Sequence, residues 1–264
     1  MTGPDQPASP RAGGRRRADV LLVARGLFDS RAKAQAAIAA GLVSADGQPV
    51  RKASDEIRAD ATLEASPEHP WVSRGGVKLA HALDRFGIDA GGRIGLDVGS
   101  STGGFTEVLL ARGAARVTAV DTGRDQLHRS LRADPRVSLF EATDIRTLEA
   151  PAPAPDLVVT DVSFISLALV LPAMTALAAP TADLIALIKP QFEVGRAAVG
   201  KNGVVRDAAA QAAAVERIKA ATEALGWQVV GVIDSPIAGG EGNREFLMHA
   251  RRGGAPSPGP GAMP

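Results

Sequence analysis

IGLDVGSSTGGFT, residues 94–106, is the stretch that decides the fold. An apolar run leads to Asp97, and Phe105 then begins an apolar pattern with helical spacing. Between them lie three glycines, Gly99, Gly103 and Gly104. This order is typical of a buried strand that ends in a glycine turn and hands over to a helix. Because glycine lets the backbone approach a ligand closely, we expect a ligand at this turn, where the strand order of a doubly wound sheet reverses.

The residues around the glycines indicate which ligand to expect. Their spacing does not match the dinucleotide fingerprint, and Asp97 lies two positions before the first glycine. A carboxylate would repel the pyrophosphate of NAD, whereas it suits the sulfonium and amino group of S-adenosylmethionine (SAM). The stretch therefore favours a SAM site. A glycine-rich turn in some other α/β protein remains the alternative, since a fold does not determine function.

The rest of the body alternates strand-like and helix-like segments. Apolar runs predict further strands at residues 117–120, 137–140, 157–160, 184–188, 228–233 and 244–250, and helical spacing predicts helices at residues 75–86, 103–112 and 207–225. Seven strands with interposed helices predict a doubly wound α/β sheet. The last two strands are too close for a helical crossover, so we expect the last one to run antiparallel. That direction places Glu245, near its start, at the ligand edge.

Charged residues follow several of these strands. They are Asp121, Asp144, Asp161 and Lys189. Asp121 is suited to accept both ribose hydroxyls of a nucleoside, and Asp144 to accept the adenine amino group. Lys189 comes directly after a buried strand and before a proline, and a buried ammonium is costly unless it is paired. The set predicts a binding site at the carboxyl edge, although each Asp taken alone is as consistent with a helix cap or a turn.

The first part of the chain is basic. Residues 1–52 hold nine Lys and Arg against four Asp and Glu, whereas the remaining residues hold 21 against 25. Helical spacing begins at Val20, Ser30 is the predicted N-cap of a helix over residues 31–40, and the Asp46-Gly47 turn indicates a short β-ribbon. We expect residues 55–63 to return as one last strand. This unit suggests an anionic partner, with a solvated basic face as the alternative.

Composition disfavours several classes of protein. With no cysteine and four scattered histidines, we expect no disulfide, no metal site and a cytoplasmic location. Residues 162–182 carry no charge and are long enough to be considered as a membrane span, but Pro172 and four hydroxyl residues favour a buried crossover between two strands. The Pro- and Gly-rich ends, residues 1–14 and 252–264, are expected to be disordered.

The motifs of the whole chain resemble those of one family. They are RADVLLVARGLFDSRAKAQAAIAAGLVSADGQPVRK, SRGGVKL, DVGSSTGGFT, DVSFIS, KPQFE, GKNGVVRD and SPIAGGEGNREFL. The first resembles the small RNA-binding domain first described in ribosomal protein S-four. Together, in this order, they resemble the TlyA family of SAM-dependent rRNA 2′-O-methyltransferases, whose catalytic domain is FtsJ-like. The resemblance implies an α+β RNA-binding domain over residues 15–66, a linker over 67–74 and a Rossmann-like methyltransferase domain over 75–251.

The resemblance also implies a reaction and the residues that serve it. Family members methylate the ribose 2′-hydroxyl of cytidine in 16S and 23S rRNA. We therefore expect SAM as the cofactor, ribosomal RNA or ribosomal subunits as the partner, and a monomer that needs neither membrane nor metal. The expected catalytic tetrad is Lys78, Asp161, Lys189 and Glu245. The expected SAM contacts are Asp97, Gly99, Ser101, Gly103, Gly104, Phe105, Asp121, Asp144 and Asp161. The expected RNA contacts are Arg16, Arg17, Ser30, Arg31, Lys33, Lys52, Arg74, Arg196, Lys201 and Arg206.

Chemistry gives these residues distinct roles. We expect Lys189 to orient or deprotonate the 2′-hydroxyl with Asp161 as its partner, while Lys78 and Glu245 position the ribose. Residues 193–207 are interpreted as a mobile loop over the site that also touches substrate phosphate. Two rival functions remain. One is a non-catalytic RNA-binding ribosome-assembly factor, and the other is a membrane-lytic haemolysin, a label that the family has carried.

Overall fold

Two compact units make up the chain, one ending at Pro70 and one beginning at Trp71. The computed structural model describes residues 14–195 and 198–253, except the side chain of Lys201. The predicted disordered tails therefore lie almost wholly outside the described residues, as do Arg196 and the side chain of Lys201. Each unit has its own hydrophobic core.

From residue 14 onward, the N-terminal unit consists of two short helices and five short strands. They are β1 (Arg15–Arg17), α1 (Ala18–Ala24), α2 (Arg31–Ala39), β2 (Val43–Ala45), β3 (Gln48–Pro49), β4 (Glu56–Arg58) and β5 (Leu63–Ala65). Leu22, Ile38 and Val43 bury their side chains between the helices and the ribbon. Ser30 caps α2 as predicted, because its hydroxyl accepts the backbone N–H of Lys33 at 3.3 Å. The two helices and the β-ribbon thus form where the sequence predicts them.

The single return strand predicted over residues 55–63 is wrong. The chain forms two strands there: β4 pairs antiparallel with β1, and β5 pairs antiparallel with β2. A turn separates them, closed by hydrogen bonds from the N–H of Ala61 to the carbonyl of Arg58 and from the N–H of Thr62 to Asp46 Oδ1. The partner strand β1 is Arg-Arg-Arg with all three residues exposed, so no apolar alternation marks it as a strand.

The C-terminal unit is a seven-stranded sheet with helices on both faces. Its strands are β6 (Ile94–Val98), β7 (Arg116–Val120), β8 (Val137–Phe140), β9 (Leu157–Thr160), β10 (Ala182–Ile188), β11 (Gln228–Asp234) and β12 (Phe246–Arg252). The strand order is β11-β12-β10-β9-β6-β7-β8. Strands β6 to β10 pair parallel, and β12 runs antiparallel to both neighbours. The predicted doubly wound sheet with an antiparallel last strand is confirmed.

In the described part of this unit, one α-helix precedes the sheet and five follow its strands. They are α3 (Gly75–Phe86), α4 (Gly104–Ala111), α5 (Arg129–Arg132), α6 (Leu167–Leu177), α7 (Pro190–Glu193) and α8 (Ala208–Ala224). Alternate strand residues face opposite layers. Leu157 packs in the cluster that contains α3 and α4, and Val158 packs in the cluster that contains α6 and α8. The order reverses at β6 and β9, so the carboxyl ends of these two strands open a crevice for a ligand.

The uncharged stretch over residues 162–182 is a crossover, as the sequence favoured. It comprises a loop and the 11-residue helix α6, and leads directly into β10. Among the described residues, no helix combines the length and apolar character needed to cross a bilayer.

Candidate functional site

The glycine turn between β6 and α4 comes into close contact with two other segments. Gly99 has φ +82°, and a Cβ there would lie 3.0 Å from the carbonyl oxygen of Asp161. A Cβ on Gly104 would lie 2.8 Å from the backbone nitrogen of Gly76 and closer still to Ser73 Oγ. A side chain at Gly99 or Gly104 could not be accommodated, because the Asp161 oxygen and the Gly76 nitrogen that it would meet are backbone atoms. The glycines therefore let β9 and the start of α3 close on the turn.

A cavity of about 420 Å³ opens beside this turn. Of the predicted SAM contacts, it is lined by Gly99, Ser101, Asp121, Asp144 and Asp161. The carboxylate of Asp121 is held in place, since its two oxygens accept the backbone N–H groups of Ser101 at 2.8 Å and Gly123 at 2.7 Å. The Arg146 guanidinium, 2.5 Å from Asp144, lowers the pKa of Asp144 to about 2. Asp144 is therefore ionised at neutral pH, and the cavity wall is acidic.

A smaller cavity of about 170 Å³ adjoins the first. Both cavities are lined by Gly99, Ser101, Asp161 and Ser163. Gly104, Phe105 and Lys189 line only the smaller one. The structure thus gathers seven of the nine predicted SAM contacts around two joined cavities.

Asp97 and Gly103 line neither cavity. Asp97 is fully buried under the turn, where Thr106 Oγ1 donates a hydrogen bond to its Oδ2 at 2.6 Å. Burial, with the nearby Asp161 carboxylate adding to it, raises the pKa of Asp97 to about 7. Gly103, with φ +101°, is the N-cap of α4 and packs against Leu127 and Leu131. Both residues therefore stabilise the glycine turn and do not line a cavity.

Two ion pairs bring the predicted tetrad together. Lys78 Nζ lies 2.5 Å from Glu245 Oε2, and both side chains are buried. Lys189 Nζ lies 2.6 Å from Asp161 Oδ1. Lys189 is itself buried, whereas Asp161 is partly open to the cavities. Lys78 is therefore not a surface lysine.

The sheet register places the two pairs side by side. Ile188 of β10 pairs with Phe246 of β12, so Lys189 and Glu245 lie just beyond the last paired residues of adjacent strands. Helix α3 lies next to both ion pairs. It carries Lys78, and one turn earlier it carries Gly75, where a Cβ would lie 3.6 Å from Asp161 Oδ2. The final strand begins two residues later than predicted, and Glu245 directly precedes it.

Several residues of the site were not predicted from the sequence. Ser163 Oγ accepts a hydrogen bond from Lys189 Nζ at 2.7 Å. Phe164 lines the larger cavity, has φ +65° and is 91% exposed, and its ring centroid lies 5.2 Å from that of Phe192. Glu193 is buried and binds the loop that carries Ser163 and Phe164. The signal that could have found Phe164 is an aromatic residue three positions after a strand-end carboxylate in a chain with only 3% aromatic residues.

The predicted RNA contacts of the N-terminal unit divide into two kinds. Arg17 and Arg31 both pair with the buried carboxylate of Asp19, with Arg17 Nε at 3.1 Å and Arg31 Nη2 at 2.7 Å, and each keeps about half of its side chain exposed. These hydrogen bonds, that of Arg17 first, hold the pKa of Asp19 well below its usual range. Arg16 and Lys52 are exposed, and the half-exposed Lys33 forms a 3.5 Å surface pair.

In the C-terminal unit, Arg74 and Arg206 are exposed. Arg74 Nη2 donates to the carbonyl of Ala238 at 2.6 Å. The position of Arg196 and that of the Lys201 side chain lie outside the described residues, so their predicted phosphate contacts stay predictions.

Family models match both units of the chain. The model described as FtsJ-like methyltransferase matches residues 71–252, and the S4 domain model matches residues 16–63. One relative, the 16S/23S rRNA (cytidine-2′-O)-methyltransferase TlyA of Mycobacterium tuberculosis, is 48% identical over 241 residues, which cover 90% of each chain.

Solved structures agree with this likeness. A hemolysin candidate from Streptococcus thermophilus is 40% identical, with a TM-score of 0.72 over 92% of this chain and 90% of that one. A structure described as an S-adenosylmethionine-dependent methyltransferase candidate, from Listeria monocytogenes, is 16% identical with a TM-score of 0.52 over 69% of this chain and 100% of that one. The second likeness concerns the fold alone.

Proposed function

The chain belongs to the TlyA family of rRNA methyltransferases, and from this premise we propose that it transfers a methyl group from SAM to the ribose 2′-hydroxyl of cytidine in 16S rRNA, 23S rRNA or both. The observation that carries the proposal is the buried Lys189, paired with Asp161 where the two cavities meet. A cationic group and a carboxylate at that junction are suited to steering a hydroxyl proton.

The larger cavity fits SAM in size and charge. Its volume of about 420 Å³ is usual for a small-molecule site, and its wall carries the carboxylates of Asp121 and Asp144. An acidic wall suits a ligand with a sulfonium and an ammonium group. Asp121 would accept the ribose hydroxyls, and Asp144 the adenine amino group. When bound, SAM supplies an electrophilic methyl group with a good leaving group.

The chain's own residues then have to place and activate the nucleophile. A ribose hydroxyl is a weak acid, so Lys189 orients it and assists loss of its proton, with Asp161 holding the amine in place. Lys78 and Glu245 form the neighbouring buried ion pair and position the ribose. Placing the oxygen in line with the methyl group accounts for much of the rate, because an oriented pair reacts as a unimolecular system.

The substrate side of the site favours RNA with an unpaired nucleotide. Phe164 is exposed at the larger cavity, and its backbone has a positive φ, which is unfavourable for a non-glycine residue. Such backbone strain is concentrated at functional sites. Aromatic rings stack on unpaired bases, and basic side chains of the N-terminal unit are suited to phosphates. A target nucleotide turned out of its helix would place its base on Phe164 and its ribose near Lys189.

The decisive experiment is transfer of a radiolabelled methyl group from SAM to purified 30S and 50S subunits that lack the modification, followed by mapping of ribose methylation. Lys189→Ala should bind SAM as the wild type does and lose transfer by about 10²-fold or more. Lys219→Ala is the matched control, since that lysine forms a surface pair with Glu216 on α8.

Label in the ribose of a cytidine supports the proposal. Label only in a base would contradict 2′-O specificity. Absence of transfer by the wild type to either subunit, with RNA binding retained, would instead favour a non-catalytic assembly factor.

A further inference from the structure

Lys189 has two close oxygen neighbours, and they differ in geometry. Its Nζ donates a directed hydrogen bond to Ser163 Oγ at 2.7 Å. The Asp161 Oδ1 atom lies 2.6 Å away, but this contact has the distance of an ion pair without hydrogen-bond geometry. Asp161 therefore supplies charge, and the hydroxyl of Ser163 sets the direction of an N–H bond.

Ser163 itself is held in a defined place. It lies on the loop between β9 and α6 and lines both cavities. At the start of this loop the N–H of Asp161 bonds to the carbonyl of Val98 at 3.1 Å. At its end, the buried Glu193 accepts Ser166 Oγ at 2.6 Å and the N–H of Leu167 at 2.8 Å. A loop fixed at both ends restrains the backbone that carries Ser163.

We propose that Ser163 is a positioning residue for methyl transfer, which acts by aiming the amine of Lys189 at the substrate hydroxyl. This inference rests on the proposed function and deepens it. Nitrogen in a lysine side chain is tetrahedral, with one bond to Cε. One N–H of Lys189 is directed to Ser163, and the ammonium group lies against Asp161. A remaining bond direction of the tetrahedral nitrogen then faces the smaller cavity, which Lys189 lines.

That direction serves either role of the amine. A protonated Lys189 points its third N–H at the 2′-oxygen and orients it. A neutral Lys189 keeps an N–H bond on Ser163 and points its lone pair at the hydroxyl proton. In both states, loss of Ser163 lets the amine rotate about the Cδ–Cε bond, and a misplacement of about 1 Å can cost 10²-fold in rate.

The test compares Ser163→Ala and Ser163→Thr with the wild type in single-turnover methyl transfer to ribosomal subunits. We expect Ser163→Ala to lower the transfer rate by about 10- to 100-fold with SAM affinity and KM for RNA nearly unchanged. Ser163→Thr keeps the hydroxyl and should restore most of the rate. Ser138→Ala is the matched control: this serine lies exposed on β8 and lines neither cavity, so the change should leave the transfer rate and the Tm nearly unchanged.

A second readout does not depend on activity. The chain has six lysines, so ¹⁵N-lysine NMR with Lys189→Ala for assignment can follow the Nζ–H signal of Lys189. We expect slow proton exchange in the wild type and Ser163→Thr, and fast exchange in Ser163→Ala. Unchanged exchange and unchanged rate in Ser163→Ala would overturn the proposal, as would a loss that Ser163→Thr and the Ser138→Ala control share. If the wild type transfers no methyl group, the proposed function fails, and the NMR result still decides whether Ser163 directs the amine.

Discussion

Lys78 Nζ and Glu245 Oε2 lie 2.5 Å apart in a buried ion pair, although 167 residues separate them in the chain. Helix α3 contributes the lysine, and the residue before β12 contributes the glutamate. Two charges taken out of water at one point must neutralise each other, because a buried charge without a partner is costly. The pair therefore ties α3 to the start of the antiparallel strand.

Breaking this pair separates its structural role from its chemical role. Lys78→Ala should lower the free energy of unfolding by about 3 kcal/mol or more, because it leaves Glu245 charged and buried. The double variant Lys78→Met with Glu245→Gln removes both charges and should recover much of the lost free energy of unfolding. Methyl transfer should be abolished in the single and the double variant alike. Urea unfolding and a transfer assay on the same samples measure the two effects. Recovery of transfer in the double variant would show that the pair has only a structural role.

Phe164 offers a test on the substrate side. Because its ring is 91% exposed, Phe164→Ala should change the Tm little. We expect it to lower kcat/KM for rRNA by 10-fold or more, since stacking of an unpaired base on an aromatic ring is worth about 1–3 kcal/mol. SAM affinity, measured by calorimetry, should change far less. Phe164→Trp is the conservative control and should retain activity. Equal loss of SAM affinity and RNA activity would place the ring against the cofactor instead.

The sequence predicts the strands and helices of this molecule better than it predicts the contacts between side chains. Buried runs such as residues 157–160 and the glycine turn of residues 94–106 have local signatures, so the doubly wound sheet and the antiparallel last strand followed from them. The tetrad residues came from motifs of a family. Strand β1 escaped prediction because three exposed arginines show no alternation. The contacts of Glu193 escaped it because they cross 26 residues and a strand, which no local pattern records.

Asp97 makes the stability of the C-terminal unit depend on pH. Burial raises its pKa to about 7, above the usual value for an aspartate of 3.8, so the folded state binds a proton that the unfolded chain has released between these values. The stability from this group is fully present below about pH 4 and is lost as pH rises through 7. We expect a contribution of up to about 1.4 kcal/mol per pH unit in that window.

Asp97→Asn mimics the protonated form and should flatten that dependence. Thermal unfolding at several pH values between 5 and 8 compares the variant with the wild type. Asp84→Asn is the matched control, because Asp84 forms an exposed pair with Arg112. An equally steep dependence in Asp97→Asn would assign the effect to other groups.

Arg31 and Lys52 allow the RNA contacts of the N-terminal unit to be separated from its folding. Both side chains are exposed, but Arg31 also holds the buried carboxylate of Asp19 at 2.7 Å. If each cation neutralises one phosphate, Lys52→Ala and Arg31→Ala should each weaken rRNA binding and reduce the slope of log K against log salt by about one unit. Only Arg31→Ala should also lower the free energy of unfolding, by about 1–3 kcal/mol, because it leaves a buried acceptor with fewer donors. Filter binding at several salt concentrations, together with urea unfolding, measures both quantities. An unchanged salt slope in Lys52→Ala would remove that lysine from the RNA interface, and an unchanged slope in both variants would leave this basic face as solvated surface.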